Sequence, residues 1–319
     1  MTEVASLYGP VADDIPQVGQ RLRGLAQHQT DLLGDTLAYI FETGGKRIRP
    51  ALVLLSGSLG EYDLTKLVTL SASLEVVHMA TLVHDDTVDE ALTRRGLATI
   101  SSVWSPNVAI LVGDFLFAQS AFLAAELQSV RIMSLLSETV MAMIGGELRQ
   151  FEAAQSRSVD EQNYLERIAG KTASLFAMCC EGAAIVSGQS EEHLRALREY
   201  GFNLGMAFQI VDDVLDFVGV EDALGKPAGS DLRNGTITLP AILFAQRCGS
   251  ESAVVHDLHE GRNVEQLIDA IQDSGSVQET LQRGRAYADG ACSALAPFPA
   301  SRSKEALLSL ADYVLSRKS

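Results

Sequence analysis

Two short stretches hold most of the chemistry this sequence has to offer. His84-Asp85-Asp86-Thr87-Val88-Asp89-Glu90 sets three aspartates within five residues straight after apolar sequence, and Asp212-Asp213-Val214-Leu215-Asp216 repeats the spacing far down the chain. Residues four apart on a helix share a face, so Asp85 with Asp89, and Asp212 with Asp216, form two small carboxylate claws. A solvated charged face is the ordinary explanation of such pairs, and it fits poorly here. Both clusters continue strongly apolar helices, and the first falls where the negative end of the helix dipole disfavours anions. Carboxylates gathered against their own repulsion call for a hard cation, and oxygen-only ligands suit Mg²⁺ or Ca²⁺. An EF-hand is excluded, because its loop glycine and closing glutamate are misplaced.

Mg²⁺ usually keeps waters and adds substrate phosphate oxygens rather than being caged by protein alone. The chain also supplies cations for a phosphate. Gly44-Gly45-Lys46-Arg47-Ile48-Arg49-Pro50 puts three basic groups after a glycine pair, Arg94-Arg95 follows the first acidic cluster, and Lys171 and Lys226 add two more. The planar fork of arginine donates two parallel hydrogen bonds to such an anion. Any one of these pairs alone reads as a surface salt bridge or a helix-end charge. Together, beside two acidic claws, they suit one or two diphosphates bridged by magnesium. Glu75-Val76-Val77-His78 also fits half of a di-iron bundle site, but that architecture requires a second E-x-x-H, which the sequence lacks.

The elements that must position these groups read as helices. Strand signals are scarce, and three- and four-residue apolar steps dominate. Leu64 to Glu90 forms one long helix, with Leu67, Leu70, Leu74, Val77, Thr81 and Val88 in series. Ser105-Pro106 reads as an N-cap followed by a first-turn proline, opening a helix over 107–128 that is apolar on nearly every side. Further helices are expected over 14–42, 47–58, 129–155, 160–187, 191–219, 237–248, 263–272, 276–295 and 302–317. Gly219 to Leu239 reads as a long glycine-rich loop of the kind that often carries function. No Gly/Ser/Pro linker divides the chain, so the expectation is a single all-α domain over 1–319.

Composition bounds the partners. The chain has 319 residues, is 47% hydrophobic and 6% aromatic, and carries a formal charge of −16, which argues against a nucleic-acid surface. Cys179, Cys180, Cys248 and Cys292 show no zinc spacing and read as reduced thiols. The N-terminal stretch has no basic head followed by an apolar core, and no uninterrupted apolar run approaches the roughly 18 residues of a membrane span. A cytoplasmic protein without a membrane span is expected.

The motifs, taken in order, resemble those of the trans-isoprenyl diphosphate synthases, or polyprenyl synthetases. They are GGKRIRP, HDDTVDEALTRRG, Gly113-Asp114, Gly146-Glu147 with Gln150, Lys171-Thr172, and Phe208-Gln209-Ile210-Val211-Asp212-Asp213-Val214-Leu215-Asp216. The resemblance implies the isoprenoid synthase fold, a bundle of about ten or more helices around a central cavity. It implies an activity condensing isopentenyl diphosphate with an allylic diphosphate, three Mg²⁺ per active site, and a homodimer. Lys46, Arg49, His78 and Arg95 would hold the diphosphate of isopentenyl diphosphate, and Arg94 would face that of the allylic substrate. Asp85, Asp89 and Asp212 would ligate magnesium, with Asp86, Asp213 and Asp216 completing the metal site through bound water or support. Lys171, Thr172 and Gln209 would steady the carbocation and its leaving group, and Lys226 would close over the phosphates. The chain departs from many members at Thr236, where they have lysine.

The alternatives are less consistent with the residues. A terpene cyclase shares D-D-x-x-D but has no need of GGKRIRP. A regulatory subunit typically lacks intact acidic clusters, whereas a catalytic subunit of a heteromeric synthase keeps them. A short-chain farnesyl or geranylgeranyl synthase usually has a bulky aromatic beneath the first aspartate. Here Ala80 and Thr81, roughly 6 to 8 Å below it, are small, and Val77 and Leu74 are only medium-sized. The expected product is therefore longer than geranylgeranyl. Ala80→Phe should shorten the product while sparing the first condensation. Unchanged product lengths on chromatography would refute that placement of the floor.

Overall fold

The computed structural model describes residues 7–27, 30–42, 45–94, 96–156, 159–218, 228–249 and 253–317. A 3₁₀ turn at Gly9–Val11 precedes α1 (Ile15–Ala26), α2 (Asp31–Glu42), α3 (Ile48–Gly57) and α4 (Leu64–Val88). A two-residue antiparallel pair, β1 (Thr93–Arg94) and β2 (Leu97–Ala98), leads to α5 (Ile100–Val103), α6 (Pro106–Glu126) and α7 (Val130–Ser156). Next come α8 (Glu161–Ile168), a π-helical turn (Ala169–Ala173), α9 (Ser174–Val186) and α10 (Glu191–Val218). The chain closes with α11 (Ser230–Arg233), α12 (Leu239–Cys248), α13 (Ala253–Glu260), α14 (Val264–Asp273), α15 (Ser276–Ala294) and α16 (Arg302–Ser316).

Local chemistry explains the main boundaries. Asp63 caps α4 by accepting from the Lys66 amide at 3.1 Å, and Ser105 caps α6 by accepting from the Val108 amide at 3.2 Å, with Pro106 in the first turn. The helix expected over 14–42 is two helices, since Gln27 leaves helical geometry at ψ 143. The β1–β2 hairpin turns at Gly96 with φ 77, and it is too short to show the alternation that marks a strand in sequence. The expected helix over 160–187 is interrupted by the π turn. α13 had no counterpart in the sequence reading.

The chain folds as two compact units. Unit 1 comprises Met1–Glu138, Met178–Arg198 and Pro297–Leu307, and unit 2 comprises Thr139–Ala177, Glu199–Ala296 and Leu308–Ser319. In unit 1, Leu67, Leu70, Leu74, Val77 and Ala80 of α4 are buried, as are Leu52 and Leu55 of α3. α6 lies against α4, and Ser73 Oγ donates to the Ser120 carbonyl at 2.9 Å in a buried contact. Unit 2 has its own core of Tyr164, Ile168, Met206, Ile210, Phe217, Leu239, Ile242, Leu258 and Ile271.

Among the described residues, three helices are long and apolar enough, by length and composition, to cross a membrane: Leu64–Val88, Pro106–Glu126 and the Glu161–Val186 run. The sequence expectation weighed only uninterrupted apolar runs, whereas these helices carry scattered polar residues among the apolar ones. Burial inside the protein accounts for most of the apolarity of the first and third, whose most apolar stretches are 78% and 67% buried. For α6 the figure is 39%.

Close helix contacts in unit 2 depend on glycine. A Cβ at Gly201 would lie 2.4 Å from the Phe176 carbonyl oxygen, which backbone cannot accommodate without a shift. Gly201→Ala should therefore destabilise by about 1–3 kcal/mol and lower the melting temperature by several degrees. Gly24→Ala, where nothing lies within 4 Å of the added methyl, should hold or raise it. Calorimetry of the two variants checks the contrast.

Candidate active site

In unit 1 a single rod, α4, carries Leu74, Val77, His78, Ala80, Thr81, Asp85 and Asp86, and Asp89 is its C-cap. The three aspartates differ in environment. Asp86 is buried, Asp85 is half-buried and Asp89 is exposed. Arg94 Nε donates to Asp86 Oδ1 at 2.7 Å, so β1 is tied to the last turns of the helix. Burial pushes the Asp86 carboxyl above its ordinary pKa, and the Arg94 charge opposes that shift. Leu74, Val77 and Ala80 are fully buried, and Thr81 Oγ1 donates to the His78 carbonyl of its own helix at 2.8 Å. His84 lies 3.1 Å from the Ile110 carbonyl, and a Cβ at Gly113 would collide with its ring, so α4 and α6 meet closely beside the aspartates.

The basic loop enters the same unit. Lys46 is exposed and Arg49 half-buried in the first turn of α3, while Arg47 turns inward to Glu75 of α4 at 2.7 Å. Glu75 is thus held by an arginine, and the di-iron reading of Glu75 with His78 finds no support. Arg95 and Lys226 lie outside the described residues, as does Gly44.

In unit 2, α10 carries Gln209, Asp212, Asp213 and Asp216. Asp213 and Asp216 are buried, and Asp212 is exposed. A chain of hydrogen bonds links the expected catalytic residues: Thr172 Oγ1 donates to Gln209 Oε1 at 2.8 Å, and Gln209 Nε2 donates to Asp213 Oδ1 at 2.9 Å. The other Asp213 oxygen accepts from the Tyr164 hydroxyl at 2.6 Å. Asp216 Oδ2 accepts from the Asp231 amide at 3.1 Å, pinning the start of α11. Asp212 lies 3.3 Å from Arg317, whose buried guanidinium sits 3.9 Å from the Phe208 ring and donates to the Phe208 carbonyl.

Lys171 and Thr172 sit in the π turn, a helical irregularity frequent at functional sites. Lys171 Nζ is 2.5 Å from Glu147 Oε2 of α7. The turn approaches α7 so closely that a Cβ at Gly146 would lie 2.4 Å from the Lys171 amide nitrogen. This explains why Gly146-Glu147 and Lys171-Thr172 occur as paired motifs.

The donors in both trios are carboxylate oxygens, with neither nitrogen nor sulfur, which fits a hard divalent cation. Among the described residues no three His, Cys, Asp or Glu side chains form a group that could hold an ion. An ion that retains waters and takes phosphate oxygens matches such a donor set. Sequence reasoning missed Tyr164, Arg317 and the pairing roles of Glu147 and Glu75. Tyr164 had a usable signal: with Arg167 and Lys171 it recurs at three- and four-residue steps, on one helix face. Arg317 had none, being distant in sequence from what it touches.

The Polyprenyl synthetase family profile matches residues 30–274. The chain is 36% identical over 314 residues to a heptaprenyl diphosphate synthase component 2 of Geobacillus stearothermophilus, covering 98% of each sequence. It is 35% identical to an octaprenyl diphosphate synthase of Haemophilus influenzae, covering 97% of this chain and 94% of that one. Among solved structures, a polyprenyl synthase from Caulobacter crescentus, complexed with calcium and isoprenyl diphosphate, superimposes with a TM-score of 0.91 at 35% identity, covering 99% of this chain and 98% of that one.

The environment of Asp213 sets a pH dependence. Burial, and next the neighbouring Asp231 charge, push its pKa from 3.8 up to about 7, against the Tyr164 and Gln209 hydrogen bonds that pull it down. The folded state therefore binds this proton more tightly than the unfolded chain. Stability from this group is complete below about pH 4 and is lost as pH rises through about 7. In chelator-treated protein, Asp213→Asn should gain stability relative to the parent across that window, by a few kcal/mol at its upper end. Denaturant unfolding at a series of pH values measures it, and parallel curves would refute the buried-acid account.

Proposed function

The chain belongs to the polyprenyl synthetase family, and on that premise we propose that it condenses isopentenyl diphosphate head-to-tail onto an allylic diphosphate. The product is an all-trans polyprenyl diphosphate longer than geranylgeranyl. The observation that carries this reading is the pair of intact D-D-x-x-D trios, each borne on a long helix with its own set of basic or hydrogen-bonding neighbours. The heptaprenyl and octaprenyl relatives support the longer product, as do the small residues at Ala80 and Thr81.

In this reading, breaking the allylic carbon–oxygen bond separates a carbocation from diphosphate, and stabilising the leaving anion is the largest demand. Magnesium, when bound, supplies Lewis-acid charge to that anion. Asp85, Asp89 and Asp212 are its proposed ligands, with Asp86, Asp213 and Asp216 as supporting acids. Lys46, Arg49, His78 and Arg95 bind the diphosphate of isopentenyl diphosphate, and Arg94 and Lys226 serve the allylic one. Lys171, Thr172 and Gln209 line the path of the developing cation and its leaving group. The isopentenyl double bond then attacks the cation to form the new carbon–carbon bond, and the departing diphosphate takes the proton lost from the condensed product. The reading includes a cytoplasmic homodimer. Leu111 and Phe122 of α6, 68% and 62% exposed, support a surface that takes a partner. A second reading, the catalytic member of a heteromeric synthase, is favoured by the relative described as component 2.

Incubating the purified chain with Mg²⁺, isopentenyl diphosphate and a series of allylic primers should give products longer than geranylgeranyl. Asp85→Asn should lower turnover by at least about a hundredfold. Products ending at geranylgeranyl would overturn the chain-length reading. Activity that appears only with an added partner subunit would establish the heteromeric one.

A further inference from the structure

Arg47 is the one basic residue of the Lys46-Arg47-Ile48-Arg49 stretch left without a role by the proposed reaction. Glu75 is a buried carboxylate ten residues before the first aspartate of its helix, about 15 Å along the axis. The two belong together. Arg47 Nη1 lies 2.7 Å from Glu75 Oε1, with the side chains 18% and 7% exposed. A buried ion pair must offset the desolvation of both charges, so it is not the cheapest way to stabilise a fold. Arg47 also has φ 54 and ψ 34, a left-handed conformation that is strained for any residue but glycine. Two costs therefore coincide at one residue, and both serve to fix the backbone where the loop enters α3.

What that backbone carries is informative. Lys46, on one side, is exposed, and its carbonyl accepts from the Tyr8 hydroxyl. Arg49, on the other side, lies in the first turn of α3. His78 follows Glu75 by one helical turn, on the same face of α4. The ion pair thus ties the basic loop to the very turn that bears His78. We propose that Glu75 is a positioning residue acting through Arg47, and that the pair sets Lys46 and Arg49 relative to His78 as a cradle for the diphosphate of isopentenyl diphosphate. This rests on the reading that Lys46, Arg49 and His78 bind that group.

The test is the split between substrates. In Glu75→Gln and Arg47→Gln, the KM for isopentenyl diphosphate should rise about tenfold or more, the scale on which misplaced binding groups act, while the KM for the allylic primer stays within about twofold. Arg47→Gly relieves the left-handed strain yet removes the anchor, and it should show the same KM rise. Arg47→Lys should recover part of the loss. Because one charge left unpaired could unfold the chain, Arg47→Met with Glu75→Leu is measured beside them, with circular dichroism and melting as the check on folding. A purely structural pair would lower melting and active fraction but leave both KM values unchanged in the folded variants, and that result overturns the proposal. Lys46→Ala and Arg49→Ala separate the two layers. If they raise the KM for isopentenyl diphosphate and the Glu75 and Arg47 variants do not, the positioning role falls alone. If they leave that KM unchanged, the binding reading falls and takes the positioning role with it.

Discussion

Desolvation of clustered aspartates is the constraint around which each unit is arranged. A carboxylate removed from water is costly unless donors replace the lost hydration. Each buried acid of the trios has such a donor. Asp86 takes the Arg94 guanidinium, Asp213 takes the Tyr164 hydroxyl and the Gln209 amide, and Asp216 takes the Asp231 backbone amide. The donors come from different elements, so satisfying the acids also locks those elements in place. β1 is held to α4 in unit 1, and α8, the π turn and α11 are held to α10 in unit 2.

Rigid helices then convert sequence spacing into geometry. α4 holds its aspartates, His78, Glu75 and the small residues Ala80 and Thr81 on one continuous rod, so their relative heights follow from the rise per residue. α10 does the same for Gln209 and the second trio. Loops cannot hold such distances, and where the chain uses one, as at Lys46 and Arg47, it adds an ion pair to fix it.

Much of this was legible beforehand, for identifiable reasons. The two acidic spacings, the Asn107 helix with its Ser105-Pro106 start, and the long α4 all rest on local periodicity and caps, which one stretch of chain contains in full. The break between α1 and α2 was not legible, because no proline or clear stop signal separates their apolar series. The partners of the acids were mostly hidden as well. Tyr164 and Asp213 are 49 positions apart, and Arg317 and Phe208 are 109 apart, so only the fold brings them together. Glu75 shows the same limit from the other side. The lack of a second E-x-x-H already argued against a metal role for its spacing to His78, but the guanidinium that takes that role's place was visible only in the fold.

The π turn has a further consequence for how this chain compares with others. A π turn closes i→i+5 hydrogen bonds, so it winds one more residue into its loop than an α-helical turn does. Ala169–Ala173 therefore absorbs an extra residue between α8 and the start of α9, on a widened turn that carries Lys171 and Thr172. Trimming one residue there would leave the local composition almost unaltered, yet it would close the widened turn that presents Lys171 and Thr172. Length at this point is as much a fixed property of the enzyme as the identity of its lysine.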